Sequence, residues 1–423
     1  MKAEDFLNSA EFEPLNYINA GKKTDNNKIK VIGVGGGGGN AVVNLFYENI
    51  EGATLIHCNT DDQALKMSPV PLQILLKTPT ETEVDYAKYS EKDQSILKNY
   101  YILSKGQPGY GAGNRPIVAQ VSAENTINEI NEALENASMV FITATMGGGT
   151  GTGAAPVIAE ACYNLGMLTV GVVTLPFNFE GEKKILDAWE AIEKMSKFVD
   201  ALLIIQNENL KDNKIIEKYR DALSITETKI EDIKLSKLFK LADRVLVDAV
   251  KCVVEIITKY GYMNLDFADV YTTLKGGGET VMDFGFAAGE KRVFNAMENA
   301  LGSPLLYNFD IGQSTKVLIA FFTSSEHEFS GKELKEITEF NERFQKKYEF
   351  KPGMYFDDTL GEKAKVTIIA TGASGKILPV ELVKEMEKMK KKFYEEDRKP
   401  SPLSILDLPE ILEKYQNEPA YER

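Results

Sequence analysis

Two glycine-rich runs, each placed directly after an apolar stretch, constrain the fold of this chain more than any other feature. Gly35–Gly39 follows Ile29–Val34, and Gly147–Gly153 follows Met139–Thr145. An apolar strand that leads into a glycine run and a helix is typical of a phosphate site. The missing side chains let phosphate oxygens reach backbone N–H groups, and the helix N-terminus adds partial positive charge. Two such runs predict a nucleotide held between two backbone loops of one parallel sheet.

Strand patterns alternate with helical patterns from Lys28 onward, which predicts a doubly wound α/β domain with a parallel sheet. The strand patterns lie at Lys30–Val34, Ala53–Asn59, Ser138–Thr145, Leu168–Thr174 and Ala201–Gln206, and the helical ones at Asn40–Asn49, Ala119–Glu135, Gly153–Leu165 and Glu182–Phe198. Asp62–Lys105 and Lys211–Ile233 do not fit this alternation, and we interpret them as excursions on the domain surface.

A long, largely apolar helix is predicted at Ser236–Tyr260, of the kind that is buried between two domains. The strand patterns Lys316–Thr323 and Val366–Thr371 flank an amphipathic helix at Gly331–Tyr348 and predict a second, smaller α+β domain. The predicted segments are an N-terminal extension (1–27), a nucleotide-binding domain (28–234), a central helix (235–260), a C-terminal domain (261–373), a charged spacer (374–400) and a tail (401–423).

Composition argues against several classes of function. A formal net charge of −14 disfavours a nucleic-acid partner, and only two histidines argue against a His-based triad or zinc site. Cys58, Cys162 and Cys252 are widely spaced in apolar segments, so we expect buried free thiols. No apolar run approaches the roughly 20 residues of a membrane helix, and Met1–Asp5 does not resemble a secretory signal. We therefore expect a cytoplasmic protein without a direct membrane span.

The flanks of the second glycine run carry a resemblance to a known family. Met146–Pro156 reads MGGGTGTGAAP, which resembles the signature of the tubulin/FtsZ GTPase superfamily. The details are similar to the FtsZ proteins of bacterial cell division, and the resemblance extends from about Lys28 to about Gly372. It implies a tubulin/FtsZ fold, with a GTP-binding domain, a central helix and a C-terminal activation domain.

The resemblance assigns the phosphates of GTP or GDP to three loops. These comprise Gly36, Gly37, Gly38, Gly39 and Asn40; Gly111, Ala112 and Gly113, which face the γ-phosphate; and Gly147, Gly148, Gly149, Thr150, Gly151, Thr152 and Gly153. No Gly-Lys-Ser/Thr follows the first run, so it is not a Walker A loop, and we expect backbone N–H groups and Mg²⁺ to meet the phosphate charge. Asn114 and Arg115 depart from the family pattern, and Arg115 is either a phosphate contact or a solvated loop cation.

The ribose is assigned to a turn at Pro176–Gly181, in which the resemblance makes Glu180 the acceptor of a sugar hydroxyl. Lys184 stands where the family commonly has arginine. Lysine lacks the planar fork for a bidentate phosphate contact, which puts the strength of this contact in question.

The guanine base is assigned by the resemblance to Asn207, Phe239 and Asp243. Phe239 stacks on the base, Asp243 accepts from the guanine N1–H and N2–H, and Asn207 supports the same edge. Adenine offers no matching pair of donors to such a carboxylate. Phe239 and Asp243 are four residues apart and share one face of the long helix. Without the resemblance, Phe239 would be interpreted as a core residue.

The segment Asn264–Asp269 matches the family's catalytic loop, with Asn264, Asp266 and Asp269 as its catalytic residues. On the residues alone, the two acids form either a helix N-cap with a first-turn acid or a site for a cation or water. The resemblance implies that the loop enters the phosphate site of the next subunit, where the acids polarise the attacking water. Such a head-to-tail contact does not close on itself and builds filaments.

We therefore expect a GTPase that is activated by polymerisation and forms the bacterial division ring at mid-cell. One alternative is a non-hydrolysing GTP-dependent scaffold of the same superfamily. Another is an NAD-dependent oxidoreductase, in which Asp61 would bind the ribose about 20 residues after the first glycine run.

The tail contains a further motif at Leu406–Leu412. It resembles the short peptide through which FtsZ proteins bind membrane-tethering partners such as FtsA. A segment of this length does not fold alone, so we expect it to order on binding. The alternative is a tail that packs on its own globular domain.

Overall fold

The computed structural model describes residues 27–104, 107–227, 229–301, 314–341, 348–372, 383–384 and 386–391. Its strands are β1 (Ile29–Val34), β2 (Ala53–Asn59), β3 (Leu72–Leu75), β4 (Met139–Thr145), β5 (Leu168–Leu175), β6 (Ala201–Gln206), β7 (Gly261–Met263), β8 (Gly278–Ala287), β9 (Lys316–Thr323), β10 (Glu349–Phe356) and β11 (Ala364–Thr371). Its α-helices are α1 (Gly35–Tyr47), α2 (Asp62–Lys66), α3 (Glu91–Ser104), α4 (Pro116–Asn125), α5 (Ile127–Leu134), α6 (Thr150–Asn164), α7 (Glu182–Met195), α8 (Asn213–Tyr219), α9 (Leu235–Thr258), α10 (Phe267–Leu274), α11 (Arg292–Leu301) and α12 (Gly331–Asn341).

The chain divides into two units, Met1–Pro379 and Val380–Arg423. The described residues of the second unit, 383–384 and 386–391, are helical. The predicted tail at 401–423 and almost all of the predicted N-terminal extension lie outside the described residues.

A parallel sheet in the order β3-β2-β1-β4-β5-β6 forms the first part of the fold. The chain order reverses between β1 and β4, and doubly wound sheets bind ligands in the crevice at the carboxyl ends of such strands. The two glycine runs follow β1 and β4, so the topology brings both of them to this crevice. The predicted α/β fold class is therefore confirmed, and the candidate site lies where folds of this class bind ligands.

A second, mixed sheet follows in the order β8-β11-β9-β10-β7. The β8–β11, β11–β9 and β10–β7 pairs are antiparallel, whereas β9 and β10 are parallel. The two sheets meet where Ala201 and Leu202 of β6 pair with Gly278 and Glu279 of β8. A further glycine run, at Gly276–Gly278, leads into β8.

The central helix α9 is bound to both sheets. Its apolar side belongs to the core that also contains side chains of β5, β8 and β9. Lys251 of α9 pairs with Glu48 at the end of α1 at 2.7 Å, and Glu255 of α9 accepts from Lys365 of β11 at 2.6 Å. The predicted long helix is therefore confirmed as Leu235–Thr258, and it is buried between the two sheets of one compact unit.

The first glycine run is part of a helix, whereas the sequence predicts that helix α1 begins only at Asn40. Gly35 adopts φ +74°, which turns the chain sharply after β1, and the following glycines already form the first turn of α1. The helical pattern Ala119–Glu135 also proves to be two helices, interrupted at Thr126. Its hydroxyl donates to the Ser122 carbonyl at 2.8 Å and accepts from the Lys77 amide at 2.9 Å, which favours a local bend.

The two stretches interpreted as surface excursions contribute to the fold, and that interpretation was wrong. The stretch 62–105 contains β3, which extends the parallel sheet beyond β2, and helix α3. The stretch 211–233 places Ile215, Ile216 and Tyr219 in the main core. The sequence-based interpretation relied on the many charged residues of this stretch and therefore did not identify its buried residues.

Cys58, Cys162 and Cys252 are buried and free, as the sequence predicts. Among the residues that the structure describes, no helix combines the length and apolar character needed to cross a membrane.

Candidate nucleotide site and catalytic loop

The first glycine run packs too tightly for side chains at most of its positions. A Cβ atom at Gly37 would lie 1.9 Å from the Thr145 hydroxyl oxygen, and one at Gly38 would lie 2.2 Å from the Thr143 carbonyl oxygen. Only Gly36 is open, because no other part of the described chain comes within 4 Å of its added Cβ. Gly36 is therefore the position in this run at which a ligand can approach the backbone.

The second glycine run likewise contains both crowded positions and an open one. A Cβ at Gly151 would lie 2.5 Å from the Thr145 carbonyl oxygen, and one at Gly153 would lie 1.9 Å from that of Pro116. Gly148, in contrast, meets nothing within 4 Å among the described residues. The two runs thus present one open glycine each, and a phosphate fits against such bare backbone at a helix N-terminus.

Hydroxyl groups brace the second run. The Gly147 amide donates to the Thr152 hydroxyl at 2.8 Å, and the hydroxyls of Thr150 and Thr60 lie 2.6 Å apart. Thr60 directly follows β2, which is separated from β4 by β1, so the run is held by a loop from another strand as well as by its own helix.

The third predicted loop lies against the second run. A Cβ at Gly149 would lie 2.8 Å from the Ala112 Cβ, and the Gly111 amide donates to the Thr60 carbonyl at 3.1 Å. Gly111 and Gly113 adopt φ +73° and +56°, which glycine tolerates best. The structure therefore brings the loops of β2 and β4 and the Gly111–Gly113 loop together.

Asp243 connects the central helix to the first glycine run. The Asn40 side-chain amide donates to its carboxylate at 3.0 Å. Burial raises the pKa of Asp243 to about 6, although the hydrogen bond from Asn40 acts in the opposite direction. No ion pair with Asp243 is found among the described residues, and a half-buried carboxylate of this kind is suited to accept from neutral donors such as ring N–H groups.

Asn207 offers a second acceptor. It follows β6, is only 2% exposed, and its side-chain oxygen has no hydrogen-bond partner among the described residues. A buried acceptor without a donor is costly, so this oxygen fits a donor supplied by a bound base.

Phe239 belongs to an aromatic cluster and is not a core residue, since 41% of it is exposed. Its ring lies edge-to-face with Phe177 at 5.4 Å and with Phe179 at 6.4 Å between centroids. Phe179 is 58% exposed, and the base site predicted from the sequence did not include it. Exposed rings of this kind can stack on a base.

The turn that is predicted to bind the ribose is held by its own acid, Glu180. One oxygen of Glu180 accepts from the Phe177 amide at 3.0 Å, and the other accepts from the Lys184 ammonium at 3.2 Å. Lys184 therefore neutralises Glu180 in this structure, and a sugar hydroxyl would share the acceptor.

Asp61, the acid that a dinucleotide-binding site requires, caps a helix. One of its oxygens accepts from the amides of Gln63 and Ala64, at 2.9 and 3.4 Å, at the N-terminus of α2. Its role is thus accounted for without a dinucleotide.

The two acids of the predicted catalytic loop cap helix α10 reciprocally. Asp266 accepts from the Asp269 amide at 2.8 Å, and Asp269 accepts from the Asp266 amide at 3.1 Å. The helix-cap interpretation is thus correct as geometry, and it leaves Asp266 exposed to solvent.

Lys351 of β10 holds the second acid. Its ammonium lies 3.1 Å from Asp269 and 2.8 Å from the Thr272 hydroxyl. Burial raises the pKa of Asp269, but the Asp266 amide and the Lys351 ammonium outweigh it and lower the pKa overall. The sequence carries no signal for this contact, because Lys351 lies 82 residues further along the chain.

Tyr355 holds the rest of the predicted catalytic loop in place. The Leu265 amide donates to the Tyr355 oxygen at 2.9 Å, and the Tyr355 hydroxyl donates to the Ile256 carbonyl at 3.0 Å. The exposed Asn264 accepts from the Gly261 amide at 2.7 Å.

The structure does not bring the predicted catalytic loop to the residues predicted to bind the nucleotide. Helix α10 leads to Lys275, which pairs at 3.0 Å with Asp200, the residue before β6, whereas Asn207 follows that strand. From Asp243, helix α9 runs 15 residues further to Thr258, about 22 Å at 1.5 Å per residue. The two groups of residues therefore lie towards opposite ends of the parallel strands, the first at the amino ends and the second at the carboxyl ends.

Known proteins match this chain over most of its length. The Tubulin/FtsZ family, GTPase domain, matches residues 28–214, and the FtsZ family, C-terminal domain, matches residues 278–374. Cell division protein FtsZ of Porphyromonas gingivalis is 41% identical over 346 residues, which are 81% of this chain and 66% of that protein. Cell division protein FtsZ 2 of Rhizobium meliloti is 38% identical over 82% of this chain and 88% of its own length. An empty FtsZ dimer of M. jannaschii superimposes with a TM-score of 0.66 at 33% identity, covering 88% of this chain and 93% of that one.

Proposed function

Because this chain belongs to the FtsZ family of tubulin-like GTPases, we propose that it hydrolyses GTP and assembles head to tail into the filaments of a division ring. Each hydrolysis site is completed by two neighbouring subunits. One subunit binds the nucleotide at the carboxyl ends of its parallel strands, and the next subunit supplies Asn264, Asp266 and Asp269. Self-association is supported by the FtsZ dimer of M. jannaschii.

The single observation that carries this proposal is the distance between Asp243, which is proposed to bind the base, and the proposed catalytic acids Asp266 and Asp269. The catalytic acids follow the far end of α9, about 22 Å along the helix axis from Asp243. General-base catalysis requires hydrogen-bond reach of the attacking water, so these acids act on a nucleotide bound by another subunit. A head-to-tail contact between identical subunits satisfies this requirement and propagates without closing.

Guanine is the base that the pocket fits. Asp243 and the Asn207 side-chain oxygen offer acceptors to the guanine N1–H and N2–H donors, while the exposed faces of Phe239 and Phe179 cover the ring. Open backbone at Gly36 and Gly148 receives the phosphates.

Mg²⁺ would be held mainly by the phosphate oxygens. Within the described ranges, no group of three His, Cys, Asp or Glu side chains is placed to hold a metal ion. Mg²⁺ commonly binds through substrate phosphates with few protein ligands, and when bound it would neutralise charge that develops on the phosphates.

Mixing two inactive variants tests the shared site. Asp266→Ala keeps a sound nucleotide pocket, whereas Gly148→Ala keeps a sound catalytic loop but places a methyl group where the phosphate would lie. An equimolar mixture should recover about a quarter of the wild-type rate of phosphate release, because about one junction in four pairs a sound pocket with a sound loop.

The matched control mixes Asp266→Ala with Asp269→Ala, which both lack a sound loop and should stay inactive. Absence of recovery in the first mixture would contradict a shared site. Hydrolysis per subunit that does not change with protein concentration would contradict it as well. A wild-type protein that assembles with GTP but releases no phosphate would instead be a scaffold.

The cytoplasmic membrane face at mid-cell is the proposed location, with the tail at 401–423 as the link to a membrane-tethering partner such as FtsA. Deleting the tail should leave GTP-driven sedimentation and hydrolysis intact and abolish recruitment to vesicles that carry the partner. Loss of thermal stability on deletion would show instead that the tail packs on its own domain.

A further inference from the structure

Tyr100 of helix α3 holds a peptide group of the Gly111–Gly113 loop. Its hydroxyl donates to the Gly111 carbonyl at 2.9 Å. The amide of the same glycine donates to the Thr60 carbonyl at 3.1 Å, so both polar groups of Gly111 are engaged, one on either side. Gly111 has φ +73°. Because glycine can adopt many other backbone conformations, these hydrogen bonds are needed to keep it in this one.

The phenol of Tyr100 is a dependable donor. The residue is 2% exposed, and burial raises the pKa of its hydroxyl, which keeps the proton in place throughout the neutral range. A hydrogen bond from Thr78 and the charge of Arg115 act on this pKa in the opposite direction, and burial outweighs them.

The orientation of one carbonyl sets the orientation of the next amide. A trans peptide is planar, and its N–H points opposite to its C=O. Because Tyr100 draws the Gly111 carbonyl towards α3, the Ala112 N–H points away from α3. Within the described ranges this amide has no hydrogen-bond acceptor, and Ala112 lies against Gly149 of the second glycine run.

On the basis of the GTP site proposed above, we propose that Tyr100 is a positioning residue that aims the Ala112 N–H at the terminal phosphate of GTP. GDP lacks that phosphate, so the contact favours GTP over GDP. Helix α3 thereby acquires a role in nucleotide discrimination, although it lies in a segment that the sequence does not connect with the site.

Tyr100→Phe tests this role, because it removes only the donor and keeps the ring in the core. Tyr101→Phe is the matched control: Tyr101 is the next residue on α3, is 5% exposed, and its hydroxyl has no partner among the described residues. Binding of GDP and of the non-hydrolysable analogue guanosine 5′-[β,γ-methylene]triphosphate is measured by calorimetry on full-length protein, with circular dichroism melting curves for both variants.

In Tyr100→Phe, affinity for the triphosphate should fall about 3- to 10-fold, the range for one hydrogen bond, with GDP affinity unchanged. Tyr101→Phe should leave both affinities as in the wild type. Equal losses for both nucleotides, or the same change in Tyr101→Phe, would overturn the role of Tyr100. Failure of the wild type to bind either nucleotide would overturn the GTP site itself, which is a different outcome.

A structural measurement covers the case in which Tyr100→Phe lowers stability. Hydrogen exchange of the Arg115 amide, which donates to the Ala112 carbonyl at 3.0 Å, reports on the loop directly. With the triphosphate analogue bound, its exchange should be faster in Tyr100→Phe than in Tyr101→Phe. Identical exchange in the two variants would contradict the proposal.

Discussion

Lowering the pH through about 6 should weaken guanine-nucleotide binding by protonating Asp243. Burial raises the pKa of this carboxyl to about 6 in the free protein. Only the carboxylate accepts from both guanine donors, so the form that binds is fully present above this pH and is lost as the pH falls through it. The guanine donors in turn stabilise the carboxylate, and the nucleotide should lower the pKa of Asp243.

The size of the effect follows from the titration. At a pH of about 5, one unit below the pKa, roughly one protein molecule in ten carries the carboxylate. The apparent dissociation constant should therefore rise about 10-fold relative to neutral pH, or about 1.4 kcal/mol. Folding stability has the opposite sign: a raised folded-state pKa means that the free protein gains stability as the pH falls from about 6 towards the ordinary value. Weaker binding at this pH thus does not arise from unfolding at this position.

Calorimetric titration with GDP between a pH of about 5 and about 7.5 measures this effect, with Asp243→Asn as the reference. The terminal phosphate also titrates near pH 6, but it does so equally in both proteins. Asp243→Asn should bind about 10- to 150-fold more weakly at neutral pH, the equivalent of roughly 1.5–3 kcal/mol for hydrogen bonds to a charged group, and should show only the phosphate's pH dependence. His57 does not interfere, because burial lowers its pKa to about 4.

The decisive comparison is between the pH dependence of GDP affinity in the wild type and in Asp243→Asn. If the wild type and Asp243→Asn change in parallel across this range, Asp243 does not contact the base. Equal affinity of the wild type for GDP and ADP would refute the same assignment independently.

Three further predictions concern the phosphate and catalytic residues. Lys351→Met should release the Asp269 carboxylate and lower kcat roughly 10-fold, with nucleotide affinity unchanged in a filter-binding assay; an unchanged kcat would show that the ion pair has no part in hydrolysis. Gly36→Ala should weaken nucleotide binding and leave the melting temperature within a few degrees, whereas Gly151→Ala should lower stability by about 1–3 kcal/mol in urea denaturation, because its Cβ meets a β4 carbonyl at 2.5 Å. If Arg115 faces the γ-phosphate, Arg115→Ala should reduce GTP affinity more than GDP affinity, and equal losses would place it at the solvated surface.

Much of the fold could be predicted because its signals are local. The strand patterns Ala53–Asn59, Ala201–Gln206 and Lys316–Thr323 agree with β2, β6 and β9 residue for residue. Strand β3 was not predicted, because four residues among turn-forming prolines carry too short a pattern, and pairing with β2 supplies the missing stabilisation.

The candidate site was less accessible to sequence reasoning. The glycine runs indicate phosphate, but only packing separates Gly36 and Gly148, which face open space, from Gly151, which is glycine because a carbonyl lies beside it. The contacts of Tyr100 with Gly111 and of Lys351 with Asp269 have no pattern along the chain, since each depends on where another element comes to rest.

The sequence by itself determined the periodicity of strands and helices, the positions of the glycine runs and the presence of two acids at a helix start. These properties depend on neighbouring residues and their backbone preferences. Only the tertiary structure decided that the residues predicted to bind the nucleotide gather at the carboxyl ends of the parallel strands, while Asp266 and Asp269 lie towards the opposite ends. The physical reason is that burial between two sheets sets the direction and length of α9. The residues that bury this helix come from segments that are far apart in the sequence, so no local pattern contains this information.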